Sequence, residues 1–294
     1  MVKHSAFIIT GPTASGKSSL AHALARKIGG TIINCDSVQI YRGIENISAS
    51  PFAGRAITED IDGVPYRLFS ILPLSKQICV ADYIKMARTE YDRAIANERI
   101  PIFVGGTGYY INGIVNGIAE LPEITESVRR HAREMVAQDP VAAKKMVPDL
   151  VATDPQRVAR ALEVFLQTGR HLTDWWREPK VGAITPTPFK ILINPTMENL
   201  RPRIADRIPE MISGGAIDEV KFMLDNNFDL HRAIGAEQIA AFLHGDISRD
   251  VAISEWVTKT NQYAKRQRTW FKTQFDSDLT INHLPSSDDL GALI

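Results

Sequence analysis

The stretch Gly11-Pro12-Thr13-Ala14-Ser15-Gly16-Lys17-Ser18 fits the phosphate-loop pattern G-x-x-x-x-G-K-[ST] at every fixed position. The pattern constrains a fold tightly because it works only between a strand and a helix. Both are in place: Ala6-Phe7-Ile8-Ile9 reads as a short buried strand, and Ser19 to Ile28 reads as a helix. The two glycines let the backbone curl until several N–H groups converge on an anion, and the helix N-terminus adds its partial positive charge. Lys17 supplies a full charge, and Ser18 offers a hydroxyl to a divalent cation. Glycine-rich strand-to-helix turns also occur without ligands. With Gly16-Lys17-Ser18 intact, the expected occupant is something phosphorylated, and the loop alone does not say that it is ATP.

A βα alternation continues from this loop. Thr31-Ile32-Ile33-Asn34-Cys35 reads as a strand ending at Asp36-Ser37. Acids at the C-terminal ends of parallel strands sit where open α/β sheets place their ligands. Asp36 fits three roles there: a magnesium holder of the Walker-B kind, a general base, or a turn residue. Val38 to Gly43 looks like a pocket wall leaving the site, and Ile44 to Ser75 is expected to hold loops and short strands. The spacing of Ala81, Ile84, Ala87, Tyr91 and Ile95 predicts a helix over Val80 to Asn97. Ile100 to Val104 predicts a strand. It ends in a second glycine-rich turn, Gly105-Gly106-Thr107-Gly108, which brings the Thr107 hydroxyl to the same end of the sheet before a helix from Tyr109.

From Gly117 to about Pro188 the alternation stops. Helices are expected at Ser127 to Ala137, Pro140 to Met146 and Asp154 to Leu166, the last two opened by Asp-Pro pairs with Asp as N-cap. A strand at Phe189 to Asn194 resumes the core. Helices follow at Leu200 to Ile212 and Ala216 to Leu224, separated by Ser213-Gly214-Gly215 as a stop signal. Gly235 to His244 and Ser248 to Phe271 complete a helical section, and Leu279 to Asn282 is a final edge strand. The expected fold is α/β: a P-loop NTPase-like core with a mainly parallel sheet flanked by helices, over 1–116 and 189–294. A helical insertion subdomain at 117–188 is expected to be grafted onto one of its loops.

Lys plus Arg equals Asp plus Glu at 34 each, so net charge does not advertise a nucleic-acid partner. Local charge does. Lys259, Lys265, Arg266, Arg268 and Lys272 fall in a stretch, Val257 to Gln274, without a single acid. Trp256, Tyr263, Trp270 and Phe271 are interleaved, and Trp270 is expected in the core. Arg129, Arg130, His131 and Arg133 form a second cluster, and Arg157 with Arg160 a third. A solvated helix face explains any one of these, whereas three beside one phosphate site suggest a long polyanion. No apolar run approaches the ~20 residues of a membrane span, and Met1 to Thr10 is too short for a signal peptide. Cys35 and Cys79 have neither metal-ligand spacing nor a disulfide framework, which suits a reducing, cytoplasmic setting.

In order along the chain, Gly11 to Ser18, Asp36 to Gly43, and Val104 to Gly108 with Tyr109-Tyr110 follow the pattern of a known family. So do Asp154-Pro155-Gln156-Arg157 with Arg160 to Val164, and Ala264-Lys265-Arg266-Gln267 with Thr269-Trp270-Phe271. The chain resembles the tRNA dimethylallyltransferases (tRNA isopentenyltransferases) of bacterial type, from near residue 10 to near residue 272. The resemblance implies transfer of a dimethylallyl group from dimethylallyl diphosphate to N6 of the adenosine beside the tRNA anticodon, adenosine 37. Gly11, Thr13, Ala14, Ser15, Gly16, Lys17 and Ser18 would then hold the diphosphate, with Mg2+ near Ser18 and either Arg207 or Arg203 as a further ligand. Asp36 would accept the N6 proton as general base, Lys17 would take up leaving-group charge, and Thr107 would touch the diphosphate end or the reacting centre. Contacts to the tRNA anticodon stem-loop carry over to Asp36, Ser37, Val38, Gln39, Thr107, Arg129, Gln156, Arg157, Arg160, Lys265, Arg266 and Arg268. A monomer without membrane attachment is expected.

Two runs depart from the family pattern. A Gly-Thr-Ala-Lys-Pro run is replaced by Asn46-Ile47-Ser48-Ala49-Ser50-Pro51-Phe52, without the lysine. A Val-Gly-Tyr-Arg-Gln run appears as Ile234-Gly235-Ala236-Glu237-Gln238. The competing enzymes are a nucleoside or nucleotide kinase, with 117–188 as its lid, and a prenyltransferase acting on free adenylates, which would leave the basic stretch without a purpose. A GTP-dependent switch lacks its guanine-reading Asn-Lys-x-Asp motif.

Overall fold

In the computed structural model, which describes residues 4–185, 187–286, 289 and 291, strand β1 (Phe7–Thr10) is buried on both faces. That is what a strand inside a helix-covered parallel sheet requires. Helix α1 (Lys17–Ile28), strand β2 (Gly30–Asn34), strands β3 (Asp60–Ile61) and β4 (Val64–Arg67), helix α2 (Val80–Ala96), strand β5 (Ile100–Gly105) and helix α3 (Gly108–Asn116) follow. Next come four helices: α4 (Glu126–Gln138), α5 (Pro140–Lys145), α6 (Pro155–Thr168) and α7 (Leu172–Trp175). Strand β6 (Phe189–Ile193) leads to α8 (Met197–Met211), a kinked segment (Ile212–Ala216) and α9 (Ile217–Asp225). The chain closes with a 3-10 turn (Leu230–Arg232), α10 (Ala236–His244), α11 (Arg249–Gln274) and strand β7 (Leu279–Ile281).

The strands form one sheet in the order β3-β4-β2-β5-β1-β6-β7, parallel throughout except for the β3–β4 pair. Register fixes the site. Thr10 lies opposite Gly105 and Asn34 opposite Val104. The turns after β1, β2 and β5 therefore open along one edge of the sheet, and they carry the phosphate loop, Asp36 and Thr107 respectively. Phe7, Ile9, Leu24, Ile32, Ile102 and Ile191 pack as the core beneath them. This is the P-loop NTPase-like architecture.

The chain divides into two compact units, Met1–Val115 with Ile184–Ile294, and Asn116–Ala183. In the second, Ala132, Val136, Val158 and Leu162 bury the facing sides of α4 and α6. Both Asp-Pro pairs start helices as the sequence suggests: Asp139 accepts from Val141 N and Ala142 N, and Asp154 from Arg157 N. Among the described residues, no helix is long and apolar enough to cross a membrane.

Ser213-Gly214-Gly215 separates two helices as the sequence suggests: Gly215, at φ 117°, leaves the helical conformation and kinks the chain between α8 and α9. One expectation needs correction. Trp270 is half-buried rather than core, because its ring faces Gly108, and the aromatic anchors of α11 are Trp256 and Phe271.

Candidate active site

Gly16 takes φ 89° as the N-cap of α1 and supplies no side-chain cap, so the first-turn N–H groups remain available to an anion. Lys17 Nζ donates to Pro12 O at 3.2 Å. From α8, Arg207 Nη2 donates to Thr13 Oγ1 at 2.9 Å and Arg203 Nε to Ala14 O at 2.9 Å. The sequence leaves these two arginines open, and α8 brings both to the loop. Arg203 is exposed, whereas Arg207 is half-buried.

Electrostatically the loop is short of negative charge. Burial pulls the Lys17 ammonium down from 10.5 to about 8; Asp36 opposes this and Arg207 adds to it. Burial also lowers Arg207, with Arg203 acting in the same sense and Asp36 against it. Arg207 Nε and Ser15 Oγ are buried without a hydrogen-bond partner among the described residues. Crowded cations and orphaned donors are costly unless an anion satisfies them. The affinity for inorganic pyrophosphate is therefore expected to fall as pH rises through about 8, where Lys17 loses its proton. Calorimetric titrations between pH 7 and 9.5 measure this directly, and a flat profile would remove Lys17 from the anion site.

Asp36 sits in a braced turn. Asn34 Oδ1 accepts from Asp36 N at 2.8 Å, and Asn34 Nδ2 donates to Asp36 O and Leu68 O at 3.0 Å. Asp36 Oδ1 accepts from Val38 N at 2.9 Å, so one oxygen builds the turn while the carboxylate also lines the cavity in front of the phosphate loop. Thr107 is directed at this turn: its Oγ1 accepts from Ser37 N at 3.0 Å and donates to Ser37 Oγ at 3.2 Å.

The cavity has a volume of about 690 Å³. Its lining combines polar residues, Thr13 and Ser15 to Ser19 with Arg203 and Arg207, and apolar ones, Ile47, Ile208, Met211 and Trp256. Val38 and Gln39 lie on it beside Asp36. Among the described residues no cluster of three or more His, Cys, Asp or Glu could hold a metal by itself. Ser18 and Asp36, both lining the cavity, carry a hydroxyl and a carboxylate, hard oxygen donors of the kind Mg2+ combines with phosphate oxygens and water. The residues thus fit a magnesium ion that arrives with a phosphorylated substrate.

The basic residues of α11 differ in what they can offer. Lys265 and Arg266 are exposed, without an acid partner among the described residues, and Arg266 also reaches the cavity. Arg268 Nε is engaged by Asn194 Oδ1 at 3.1 Å, and Lys259 by Glu237 at 3.2 Å. In the second unit Arg129 pairs with Glu126, Arg157 with Asp154, and Arg160 with the buried Glu163 at 2.8 Å. Gln156 is exposed there.

Gln267 belongs to the Ala264-Lys265-Arg266-Gln267 run that carries the resemblance, but the sequence does not say which loops it reaches. Its Oε1 accepts from Thr13 N at 2.8 Å and its Nε2 donates to Gly106 O at 3.1 Å. The available signal is periodicity: Trp256, Thr260, Ala264, Gln267 and Phe271 form the buried stripe of α11, and an amide on such a stripe needs partners.

Both departing runs find local explanations. Without its lysine, the Asn46 to Phe52 run folds against an acid. Glu219 Oε1 accepts from Asn46 N and Nδ2, and Oε2 from Ile47 N, each at 2.8 Å. In the other run Glu237 pairs with His231 and Lys259, both at 3.2 Å. Gly235 beside it has φ 102°, and a Cβ there would lie 2.2 Å from the Trp256 ring. Gly235→Ala is expected to cost about 2–4 kcal/mol in denaturant unfolding, from backbone strain and overpacking together. An unchanged midpoint would contradict that packing.

A family model described as IPP transferase matches residues 39–274, and one described as isopentenyl transferase matches residues 4–72. A tRNA dimethylallyltransferase of Sphingopyxis alaskensis is 42% identical over 284 aligned residues, covering 91% of this chain and 89% of that protein. The tRNA dimethylallyltransferase of Paramagnetospirillum magneticum is 36% identical over 294, covering 94% and 90%. Among solved structures, a eukaryotic dimethylallyltransferase acting on tRNA matches with a TM-score of 0.80 at 25% identity, over 98% of this chain and 76% of that one.

Proposed function

The chain belongs to the IPP transferase family, and from that premise we propose that it transfers a dimethylallyl group from dimethylallyl diphosphate to N6 of adenosine 37, beside the tRNA anticodon. One juxtaposition carries this conclusion. A carboxylate, Asp36, shares a cavity with a phosphate loop where Lys17 is buried and Arg207 Nε and Ser15 Oγ have no partner among the described residues, and apolar side chains line the same cavity.

In this mechanism the loop holds a leaving group. Lys17, Arg207 and the N–H groups at the start of α1 bind the diphosphate and take up the charge that develops as its bond to carbon breaks. Ser18 would hold Mg2+ together with diphosphate oxygens, and the ion would add to that neutralisation. The apolar side chains of Ile47, Met211 and Trp256 suit the prenyl chain and keep water away from the allylic carbon. The exocyclic amine of adenine is a poor nucleophile because its lone pair is delocalised into the ring. Asp36 accepts the N6 proton as the new C–N bond forms. Thr107 acts through Ser37, holding the turn on which Asp36 sits.

The adenosine must leave its stack to reach this cavity, and a single-stranded loop allows that. Lys265, Arg266 and Arg268 are assigned to the RNA backbone, as are Arg129, Gln156, Arg157 and Arg160 of the second unit. The proposed enzyme acts as a monomer, and a tRNA substrate is in keeping with a cytoplasmic enzyme. Neutralising Lys265, Arg266 and Arg268 together is expected to weaken stem-loop binding. Its salt dependence should flatten by about 0.7–0.9 in log–log slope for each phosphate no longer neutralised. Affinity for dimethylallyl diphosphate should change far less. An unchanged slope would take α11 off the RNA face.

Incubation with labelled dimethylallyl diphosphate, offering tRNA, AMP and ATP in parallel, tests the function itself. Label in tRNA alone is the expected result. Label in a free adenylate, or phosphoryl transfer from ATP, would overturn it.

A further inference from the structure

We propose that Gln267 is a positioning residue for the transfer reaction, one amide that sets the diphosphate-binding loop and the turn supporting the base against each other. The inference rests on the function proposed above. Its geometry does not.

Gln267 is 7% exposed on the inward face of α11. Its two polar atoms go to two different loops: Oε1 to the N–H of Thr13, and Nε2 to the carbonyl of Gly106. Each loop passes the constraint on. Thr13 is also held through its hydroxyl by Arg207. Gly106 precedes Thr107, whose hydroxyl fixes Ser37 beside Asp36. The fit is close, since a Cβ on Gly106 would lie 2.4 Å from Gln267 Nε2. One turn further along, a Cβ on Gly108 would lie 2.4 Å from the Trp270 ring. Thus the helix that presents Lys265 and Arg266 to solvent grips, on its other side, the loops that hold the leaving group and the base.

The chemistry selects an amide. One loop presents a donor and the other an acceptor, and a neutral amide matches both. Methionine has similar length and offers neither bond. Glutamate keeps the acceptor for Thr13 N but sets a second acceptor against Gly106 O. When protonated, its carboxyl regains one donor and one acceptor. A misplacement of about 1 Å between reacting groups can cost about 10²-fold in rate, so loosening the two loops should show in the chemical step.

The test uses the whole chain with Gln267→Met and Gln267→Glu. Inorganic pyrophosphate binding, stem-loop RNA binding, single-turnover transfer and thermal melting are measured for both. Gln267→Met is expected to weaken pyrophosphate binding about tenfold, the scale of one or two hydrogen bonds, and to slow single-turnover transfer about 10²-fold. Its RNA affinity should stay within about twofold. Gln267→Glu should recover pyrophosphate affinity relative to wild type as pH falls from 8 to 6. Wild-type pyrophosphate affinity and transfer rate in Gln267→Met would overturn the proposal. So would parallel losses of pyrophosphate and RNA affinity with early melting and no recovery of Gln267→Glu at low pH, since Gln267 would then only pack the helix. A wild-type enzyme that prenylates no RNA would refute the reaction, while pyrophosphate binding by the two variants would still decide the role of Gln267.

Discussion

Asp36→Asn is expected to fold, to bind dimethylallyl diphosphate, and to transfer its prenyl group about 10²–10⁴-fold more slowly than wild type. Asparagine is the informative replacement because Asp36 does two jobs. Its Oδ1 accepts from Val38 N at 2.9 Å, and an amide oxygen keeps that bond. Alanine would remove the turn together with the base, and a slow alanine variant would not separate them. A second consequence has a definite sign. The Asp36 carboxylate raises the Lys17 pKa, so its loss should push Lys17 further below about 8 and shift the decline in pyrophosphate affinity to lower pH. Transfer should therefore be compared at pH 7 with saturating donor. Single-turnover transfer to stem-loop RNA at the wild-type rate would show that another group takes the N6 proton.

What can be read from the residues, and what cannot, follows from the range of the interactions. The strands at Phe7–Thr10, Gly30–Asn34, Ile100–Gly105 and Phe189–Ile193 are legible because each is an apolar run too short for a helix and bounded by glycine or a polar turn. The Asp139 and Asp154 caps are legible because a cap is settled within a few residues. So is the break at Ser213-Gly214-Gly215, where Gly215 leaves helical φ and ψ between α8 and α9. The half-burial of Trp270 is not, since its ring packs against Gly108, far away in sequence.

The site divides in the same way. The phosphate loop and Asp36 announce themselves, since their chemistry depends on local sequence. Gln267 reaches the loop across 254 positions, and Glu219 reaches Asn46 across 173. Nothing near either residue points to its partner. The choice between Arg203 and Arg207 is likewise closed to sequence, because both lie on one face of α8 and differ mainly in depth. Arg207 Nε is buried and unpaired among the described residues, while Arg203 is exposed.

Lys17→Met is expected to lower transfer by about 10²–10³-fold, the scale of removing one group that stabilises developing negative charge. The same variant should melt at no lower temperature than wild type. The ammonium is buried beside Arg207, and its pKa in the fold, about 8, lies below its ordinary 10.5. A cation whose pKa is depressed in this way destabilises the fold while charged. Stability therefore rises as pH climbs from about 8 toward 10.5, where the folded protein has released a proton that the unfolded chain still holds. Methionine fills a similar volume without the charge, so the penalty below pH 8 disappears along with the function it served. Thermal melts at pH 7 and 9.5 should show the wild-type pH dependence reduced in the variant, and the decline in pyrophosphate affinity above pH 8 should vanish with it. A Lys17→Met enzyme that keeps either its transfer rate or that decline would place the leaving-group charge on Arg207 and the backbone N–H groups instead.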